Sequence, residues 1–275
     1  MSDDELAQEA LSRRNIEVHT VSWRRHLDWA SYELVIIRTT WDYQQSPEAF
    51  ISALEKINAA TRLENPLGIV KWNLEKSYLK DLELRGIPTV KTWFLDTMPS
   101  EALLEDACRK FGSEELIIKP LVSANADFTY RLRSGCFSKV IGLLQTTFSG
   151  KKYLLQPFLE SVVEEGEYSV FYFGGHFSHA IVKLPKAEDF RVQEEHGGQI
   201  LPILPTAELI AAADRVIRSI GRSLLYARVD LVRQNGELAL MELELIEPSL
   251  YFRTSPTAAS NFADAVEKCL NDFFF

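Results

Sequence analysis

The sequence lacks several features that mark whole classes of protein. Three cysteines among 275 residues are too few and too widely spaced for a disulfide framework or a zinc site, so we interpret them as reduced packing residues. No apolar run approaches the ~18 residues that a membrane-spanning helix needs. Residues 1–5 are acidic and lack the basic and then apolar order of a signal peptide. We therefore expect a cytoplasmic protein without a membrane partner.

Positive charge is also scarce. Lysine and arginine total 30 against 39 aspartates and glutamates, and the formal net charge is −9. Domains that cover a phosphate backbone usually carry a basic excess, so nucleic acid is not an expected partner. A local basic pocket for one small phosphate ligand stays compatible with this balance. The composition, 46% hydrophobic and 25% charged, is typical of a globular chain and excludes disordered and fibrous classes.

The N-terminal part predicts a parallel-sheet domain. Residues 16–21 alternate between apolar and polar side chains, and residues 34–37 form a short apolar run that suits a buried parallel strand. Ser46-Pro47-Glu48 begins a helix over residues 49–60. The sequence opens on a helix, over residues 5–14, where a doubly wound sheet normally opens on a strand. We therefore expect the first strand of this domain to be missing.

The remainder passes from alternating helices and strands to antiparallel hairpins. A helix over residues 73–85 is ended by Gly86. Hairpins are predicted over residues 168–183, around a Gly-Gly turn, and over residues 227–244, around an Asn-Gly turn. The amphipathic helix between them, residues 206–225, suits a core or a dimer surface equally well, so a homodimer stays one alternative. The fold class predicted is α/β followed by α+β.

Three carboxylates lie on the two arms of the second predicted hairpin. Glu242 and Glu244 are two residues apart, so they point to the same face of a strand, and Asp230 can face them from the other arm. Carboxylates that converge in this way repel one another unless a cation lies between them, and hard oxygen ligands suit Mg²⁺ or Mn²⁺. Taken alone, the pattern fits a solvated acidic face of an edge hairpin better.

Two lysines and two short segments have the chemistry of a nucleotide site. Lys76 lies near the start of the helix predicted over residues 73–85. Lys119 ends an apolar strand, so the ammonium group of Lys119 can meet a phosphate while its aliphatic stem is buried. The small-residue loop 121–128 follows directly and can offer backbone N–H donors. Residues 153–160 end a strand with Gln-Pro-Phe-Leu, which can hold a flat base between apolar walls. Taken singly, each lysine is more typical of a surface position.

These pieces occur in an order that resembles the ATP-grasp superfamily of carboxylate–amine ligases. The order is Lys76, Lys119 with its loop, Gln156-Pro157-Phe158-Leu159, and then Gly166-Glu167-Tyr168-Ser169-Val170. The later part is similar to bacterial glutathione synthetases and ribosomal-protein glutamate ligases, because a lid motif reads Asp189-Phe190-Arg191-Val192-Gln193-Glu194-Glu195-His196-Gly197-Gly198. The metal motif of the superfamily is matched by Asp230 and Glu242-Leu243-Glu244, with Glu244 where the wider family has asparagine.

Two further segments resemble a narrower group, the D-cycloserine-forming ATP-grasp ligases of antibiotic biosynthesis. These segments are Arg38-Thr39-Thr40-Trp41-Asp42-Tyr43 and residues 242–251. The loop Ser123-Ala124-Asn125 departs from the superfamily in lacking its glycine. The resemblance implies an ATP-grasp fold with an N-terminal parallel-sheet (pre-ATP-grasp) domain over residues 1–72. Two α+β subdomains, residues 73–157 and 158–275, are then expected to clasp ATP, the second carrying the metal site and lid.

The resemblance implies an ATP-dependent ligase. A small, amino-acid-like carboxylate is expected to attack the γ-phosphate of ATP, giving an acylphosphate and ADP. An amine then attacks the acyl carbon and releases phosphate, which forms an amide or peptide bond. Two alternatives stay open: an ATP-grasp enzyme that ends in a kinase-like or non-amide product, and a catalytically idle ATP-binding module. The expected partners are ATP and the two small substrates.

The resemblance also implies residue roles. Arg228 is expected to stabilise the oxyanion, Arg191 to bring the lid onto the γ-phosphate, and Lys183 to neutralise phosphate oxygens. Asp230, Glu242 and Glu244 are expected to hold Mg²⁺, with Mn²⁺ as an alternative. The expected nucleotide-binding residues are Lys76, Lys119, Ser123, Gln156, Phe158, Leu159, Glu167 and Gln193.

Substrate choice is expected to come from the N-terminal domain and the last loop. Arg38 follows a predicted buried strand, at the carboxyl end where open α/β sheets bind their ligands. We predict that Arg38 and Arg253 anchor a substrate carboxylate and that Trp41 and Tyr43 shape the pocket. Packing at a domain interface is an equally good interpretation of Trp41 and Tyr43.

Overall fold

The computed structural model describes residues 2–123, 125–187 and 189–272. Within these ranges the α-helices are α1 (Asp3–Ser12), α2 (Pro47–Ala60), α3 (Leu67–Asn73), α4 (Tyr78–Leu84), α5 (Glu101–Phe111), α6 (Phe137–Thr147), α7 (Glu160–Glu164), α8 (Ala207–Ile220) and α9 (Ala258–Asn271). The strands are β1 (Leu34–Ile36), β2 (Arg62–Glu64), β3 (Trp93–Leu95), β4 (Glu115–Pro120), β5 (Tyr130–Arg133), β6 (Tyr153–Pro157), β7 (Glu167–Phe173), β8 (His176–Leu184), β9 (Gln199–Ile203), β10 (Tyr226–Gln234) and β11 (Glu237–Glu244).

The strands form three sheets. In the N-terminal sheet, β1 and β2 pair in parallel. The central sheet has the antiparallel order β3-β6-β4-β5. The C-terminal sheet has the antiparallel order β11-β10-β7-β8-β9. A parallel pair followed by two antiparallel sheets with helices confirms the predicted mixture of α/β and α+β structure.

Both predicted hairpins are confirmed. β7 and β8 are joined by Gly174 and Gly175, with φ values of 55° and 80°. Asn235 and Gly236, with φ values of 54° and 84°, join β10 and β11. Two successive residues with positive φ give the turn whose twist matches the flanking strands, and glycine and asparagine tolerate that conformation best. The turn fixes the register, which determines the side chains that face each other across β10 and β11.

The structure corrects three predicted elements. Residues 16–21 form no strand; the apolar side chains of this segment, Ile16 and Val18, pack on the cluster around α1 and α9 instead. The helix predicted over residues 206–225 ends at Ile220, because Gly221 adopts φ 74° and caps it. The helix predicted over residues 73–85 is present only as α4, over Tyr78–Leu84, and Asn73 is instead the last residue of the preceding helix α3.

The break between α3 and α4 has a local cause. The side-chain amide of Asn73, at the end of α3, binds the backbone where β11 ends. Its Nδ2 donates to the Leu243 carbonyl of β11 at 2.8 Å, and its Oδ1 accepts from the N–H of Leu245, the first residue after β11, at 3.0 Å. The backbone N–H of Lys76 donates to the Leu121 carbonyl at 3.0 Å rather than to a preceding turn. Tertiary hydrogen bonds therefore turn the chain at Lys76 and direct this residue toward the loop that follows β4.

Helices from distant parts of the chain cover the C-terminal sheet. Buried Tyr78, Leu79 and Leu82 of α4 belong to the same apolar cluster as the inner residues of β7, β10 and β11. Ala7, Ala10 and Leu11 of α1 pack with α9 in a second cluster.

The domain boundaries at residues 72 and 157 stay a prediction. No helix in the described ranges is long and apolar enough to cross a membrane.

Helix α4 offers a matched test of this packing. Leu82 is fully buried, whereas Leu84, two residues later, is 87% exposed. We expect Leu82→Ala to lower the free energy of unfolding by about 2–5 kcal/mol, because it leaves a cavity against the C-terminal sheet. Leu84→Ala is expected to change it by less than ~0.5 kcal/mol. Urea denaturation followed by circular dichroism measures both; equal midpoint shifts would contradict the packing of α4.

Candidate active site

A cavity lies between the central and the C-terminal sheets, and both contribute to its walls. Ile117 and Lys119 of β4 and Gln156 of β6 line one side. Strands β7, β8, β10 and β11 line the other, and Ser123 together with the segments 125–129, 190–195 and 246–251 closes it. The residues predicted from the sequence for metal, phosphate and nucleotide therefore face a common space.

Eight charged side chains in this cavity form what we call the charged cluster. Its carboxylates and cations come from opposite ends of the sequence and from both sheets. The members are Lys76, Lys119, Lys183, Arg228, Glu167, Asp230, Glu242 and Glu244. The register of the β10–β11 hairpin determines which of these side chains face each other: Asp230 lies directly opposite Glu242, and Arg228 lies opposite Glu244. The predicted convergence of Asp230, Glu242 and Glu244 is therefore present, inside a cavity rather than on a solvated edge.

Cations of the charged cluster lie against its carboxylates. Lys76 Nζ is 2.9 Å from Glu242 Oε1. Lys183 Nζ lies between two carboxylates, 2.5 Å from Glu167 Oε1 and 3.2 Å from Asp230 Oδ2. Arg228 is bonded to Asp230, at 2.9 Å, and to Glu244. Mutual compensation is what allows so many charges to be held in a largely buried space.

Protonation of the carboxylates follows this pairing. Burial alone raises the pKa of Asp230, but Arg228 and Lys183 outweigh it and lower the pKa to about 2. Burial raises the pKa of Glu244 to about 7, because its attraction to Arg228 offsets the loss of solvent only in part. Burial also acts to lower the pKa of Lys183, but attraction to Asp230 and Glu167 outweighs it, so the net pKa is raised. Lys183 therefore carries its charge at every physiological pH.

Lys119 differs from the other cations of the cluster. Within the described ranges, no carboxylate lies within salt-bridge distance of its Nζ. Burial lowers the pKa of Lys119, although Glu242 acts against this shift. Lys76 Nζ donates to the Ser123 carbonyl at 3.0 Å. Two lysines and the start of the loop after β4 therefore surround one region of the cavity with donors suited to phosphate oxygens.

The end of β6 provides a second wall. Gln156 is buried, and its Nε2 donates to Thr92 Oγ1 at 2.9 Å. Phe158 is buried beneath the guanidinium of Arg131, 3.5 Å from the ring centroid, and Leu159 follows it. Gln193 faces the same cavity, and its buried Oε1 has no hydrogen-bond partner in the described ranges. An apolar wall with an unsatisfied polar atom is the environment that a planar, polar-edged ligand fits.

The lid motif covers the cavity. Arg191 lines it, and its guanidinium is held by Asp189 at 2.8 Å and 3.1 Å. His196 Nε2 lies 3.1 Å from the Asn125 carbonyl, which joins the lid to the loop after β4. Glu194 pairs with Arg253 at 2.6 Å. Glu188 and Ala124 lie outside the described residues. The lid is thus tied at both flanks by side chains that do not line the charged cluster.

The predicted substrate residues divide into two pairs. Trp41 and Tyr43 line the cavity, as predicted for a pocket wall. Arg38 and Arg253 are absent from the described lining: Arg38 is paired with Asp4 at 3.1 Å, and Arg253 is paired with Glu194. Arg38 also donates to the Pro248 carbonyl at 3.2 Å. Its position supports the last loop of the cavity rather than the space inside it.

Glu247 and Tyr251 are cavity residues that the sequence interpretation did not single out. Both line the cavity, and Tyr251 adopts φ 47°, which directs this loop back toward β8 and β10. Glu247 Oε2 is buried without a hydrogen-bond partner in the part of the chain described. A signal was present, because Glu247 is an isolated acidic residue in the apolar stretch Leu245-Ile246-Glu247-Pro248. Its significance depends on the turn that brings it back to the cavity.

The carboxylates of the charged cluster have the donor chemistry of a Mg²⁺ site. Asp230, Glu242 and Glu244 offer hard oxygen ligands to the cavity. Among the described residues, no group of three acidic, histidine or cysteine side chains is arranged to hold a metal by itself. Lys76 and Arg228 lie against these carboxylates instead. The donor set fits Mg²⁺ that takes its other ligands from water and nucleotide phosphates, as Mg²⁺ usually does.

Comparison with known proteins agrees with this geometry. Residues 1–65 match the family model of the D-cycloserine synthetase DcsG N-terminal domain. The cycloserine biosynthesis protein DcsG of Streptomyces lavendulae is 31% identical over 273 residues, covering 89% of this chain and 85% of that protein. The crystal structure of D-cycloserine synthetase DcsG superposes with a TM-score of 0.86 at 27% identity, over 98% of this chain and 94% of that one.

More distant structures share the fold. D-alanine–D-alanine ligase from Bacillus anthracis has a TM-score of 0.70 at 16% identity, over 98% of this chain and 92% of that one. The ATP-grasp ligase PsnB, complexed with a phosphomimetic variant of its minimal precursor, Mg and ADP, has a TM-score of 0.68 at 16% identity, over 97% of this chain and 94% of that one. These likenesses confirm the ATP-grasp fold.

Removal of one charge tests the mutual compensation in the charged cluster. Lys183→Met leaves Glu167 and Asp230 without their shared cation, so we expect the free energy of unfolding to fall by about 3–5 kcal/mol. The control is Lys56→Met, on the exposed face of α2, with an expected change below ~0.5 kcal/mol. Denaturant midpoints measure both. A Lys183→Met midpoint equal to that of the wild type would show that the cluster does not depend on its cations.

Proposed function

We propose that this chain, which belongs to the ATP-grasp ligase family of the cycloserine biosynthesis protein DcsG, joins a small amino-acid-like carboxylate to an amine in the cavity between its central and C-terminal sheets. ATP-dependent carboxylate–amine ligation is the reaction of the family. The observation that carries the assignment to this cavity is the charged cluster, in which cations suited to phosphate lie against carboxylates suited to Mg²⁺.

The first step needs anions to approach one another. A carboxylate oxygen of the substrate attacks the γ-phosphorus of ATP, the bond from that phosphorus to the bridging oxygen breaks, and an acylphosphate and ADP result. Lys76, Lys119 and Lys183 neutralise phosphate oxygens during this transfer. Because these groups are fixed by the fold before the reaction, little reorganisation is needed as charge moves.

ATP binding uses the wall beside these lysines. Gln156, Phe158 and Leu159 surround the base at the end of β6, and Gln193 adds the polar atom that has no partner within the described ranges. Ser123 lies at the start of the loop after β4, where Lys76 contacts it. Glu167 is the ribose-side carboxylate in this assignment. These roles follow the superfamily motifs that the sequence carries.

The second step forms the C–N bond. The amine attacks the acyl carbon, the C–O bond to the phosphoryl group breaks, inorganic phosphate leaves, and the amine nitrogen loses a proton. Arg228 stabilises the oxyanion of the tetrahedral carbon, and its pairing with Asp230 and Glu244 fixes its orientation in the cavity. Arg191, carried by the lid, contacts the γ-phosphate and excludes water that hydrolyses an acylphosphate.

Mg²⁺ is the metal proposed for Asp230, Glu242 and Glu244, and Mn²⁺, which favours similar oxygen ligands, is the alternative. When bound, the metal supplies charge neutralisation for the transferring phosphoryl group. Glu244 in place of a neutral ligand makes the site more negative, which favours a divalent cation. The raised pKa of Glu244, about 7, is consistent with a carboxylate that lacks sufficient positive charge in the protein alone.

The substrate end of the cavity is formed by Trp41, Tyr43 and the loop 246–251. Arg38 and Arg253 act on this end from outside, through Pro248 and through the lid residue Glu194. The relatives are named for D-cycloserine synthesis, so reactions that yield D-cycloserine or a similar amino-acid amide are the first candidates.

A cytoplasmic location is supported by the unpaired cysteines Cys108, Cys136 and Cys269. A homodimer stays an alternative to a monomer.

A coupled ADP-release assay tests the proposed function. Mg²⁺-ATP is offered with amino acids, small carboxylates and amines, singly and in pairs. We expect ADP release that requires a carboxylate and rises with a particular amine. Glu242→Gln is expected to lower the rate of ADP release about a hundredfold or more, because it removes one of the carboxylates proposed to bind Mg²⁺ beside the phosphates. Glu237→Gln, at the exposed start of the same strand, is the matched control and is expected to keep the wild-type rate.

Three outcomes of this assay contradict the proposal. Release that needs a carboxylate but never an amine, with a phosphorylated product, indicates a kinase-like enzyme. ATP binding without release for any pair indicates an idle binding module. Equal rates for Glu242→Gln and Glu237→Gln would remove the charged cluster from the reaction.

A further inference from the structure

The acidic first turn of α1 is a sequence feature that the proposed mechanism does not use. Asp3, the first residue of this helix, lies against the backbone of residues 250–252. The N–H groups of Leu250 and Tyr251 donate to Asp3 Oδ2 at 2.9 Å and 2.8 Å, and the N–H of Phe252 donates to Oδ1 at 2.9 Å. Successive N–H groups that converge in this way form a concave anion-binding site, a nest. The protein fills this nest with a carboxylate of its own.

The nest depends on a strained turn of the backbone. Tyr251 adopts φ 47° and ψ 43°, a left-handed conformation that bulky side chains rarely take and that persists only where the surroundings hold it. Arg38 and His179 bind carbonyls of the same loop. Asp3 binds its N–H groups, through hydrogen bonds that the charge of the carboxylate strengthens. Loss of this carboxylate is therefore expected to release the turn.

Asp3 is itself held in place by α1. The Ser2 hydroxyl accepts the N–H of Glu5 at 3.2 Å, and Glu5 Oε2 accepts the N–H of Ser2 at 2.6 Å, so a capping box fixes the first turn of the helix. Apolar side chains of α1 pack on α9, and Arg14 beyond the end of α1 binds Asp264 of α9 at 3.0 Å. A docked helix thus presents Asp3 to the loop.

The turn leads directly to Arg228. The Ser249 carbonyl, one residue before the nest, accepts from Arg228 Nη1 at 3.3 Å. Asp230 and Glu244 bind the guanidinium from its Nε and Nη2 side. Within the described ranges, the Ser249 carbonyl is the hydrogen-bond partner on the Nη1 side. A planar guanidinium is oriented when it is held at both edges, so the place of this carbonyl determines where Nη1 points in the cavity.

We propose that Asp3 is a positioning residue for Arg228: it fixes the turn at Tyr251 and thereby holds the Ser249 carbonyl against Arg228 Nη1. The inference rests on the proposed function and deepens it, because it makes stabilisation of the oxyanion in the second step depend on a side chain of α1. Asp3 is not among the described residues that line the cavity. It acts through the backbone of the loop and not on the reacting atoms.

Asp3→Ala empties the nest. Amide formation is measured by mass spectrometry with the carboxylate–amine pair that is active in the wild type. We expect kcat for the amide to fall about tenfold or more, because a small displacement of a charged group sharply weakens its action on the transition state, while KM for ATP is unchanged. Glu9→Gln, on the exposed face of the same helix, is the matched control with wild-type values. A wild-type kcat for Asp3→Ala overturns the inference.

Formate distinguishes an empty nest from general damage to the fold. It is a carboxylate small enough to occupy the space left by the Asp3 side chain and to accept the same N–H groups. Added formate is expected to raise the kcat of Asp3→Ala at least about threefold. Formamide, its neutral counterpart, is expected to have no effect, and neither compound is expected to raise the kcat of the wild type or of Glu9→Gln. Absence of rescue by formate overturns the role of the nest.

A second substitution tests the route through Arg228. Arg228→Lys keeps the charge and loses the planar Nη1 contact, so Asp3→Ala is expected to lower kcat less than about twofold further in this background. Equal losses in the two backgrounds show that Asp3 acts on another group and overturn the inference. Asp3→Asn, which keeps the size of the side chain and loses one acceptor oxygen, repeats the comparison with the packing of α1 undisturbed.

The remaining outcomes separate this inference from the function it rests on. A raised KM for the carboxylate with kcat unchanged shows that the turn serves binding alone, and it overturns the positioning of Arg228. Binding of Mg²⁺-ADP by calorimetry checks that each variant is folded. A wild-type protein that binds Mg²⁺-ATP and gives no product with any pair contradicts the proposed function itself.

Discussion

The buried charges of the cavity must compensate one another, and much of the architecture serves that requirement. Asp230 is almost fully buried and is held ionised by Arg228 and Lys183, which approach it from its own strand and from β8. Removal of any one partner leaves a charge in a poorly solvated space. The register of β10 and β11, set by the Asn235-Gly236 turn, is therefore a requirement of the site as much as of the fold.

The same requirement explains how distant segments are attached. The chain is not helical between α3 and α4, and Lys76 in this interval contacts both Glu242 and the loop after β4. At the end of the cavity formed by the last loop, one carboxylate of α1 holds the backbone: Asp3 accepts hydrogen bonds from the N–H groups of Leu250, Tyr251 and Phe252 at 2.8–2.9 Å. The N-terminal region thereby fixes the loop that carries Glu247 and Tyr251, so this wall of the cavity depends on parts of the chain that lie far apart in sequence.

Local patterns predicted much of this site, and tertiary contacts decided the rest. Turn glycines and strand periodicity gave both hairpins correctly, so the convergence of Asp230, Glu242 and Glu244 followed. The strand predicted from the alternation of residues 16–21 is absent, because alternation describes how side chains are distributed and not whether a partner strand is present. The ion-pair partners of Lys183 and the positions of Arg38 and Arg253 depend on how the sheets and loops meet. Glu247 was missed for the same reason, since its burial appears only when the loop folds back.

Transfer of an oxygen isotope tests the central claim most directly. A carboxylate substrate labelled with ¹⁸O is turned over with Mg²⁺-ATP and its amine, and the released phosphate is examined by mass spectrometry. Attack of the carboxylate on the γ-phosphorus predicts one ¹⁸O atom in each phosphate released. Unlabelled phosphate accompanied by amide product would contradict activation as an acylphosphate. It would also contradict the proposed roles of the lysines, of Arg228 and of the carboxylates assigned to Mg²⁺ around a transferring phosphoryl group.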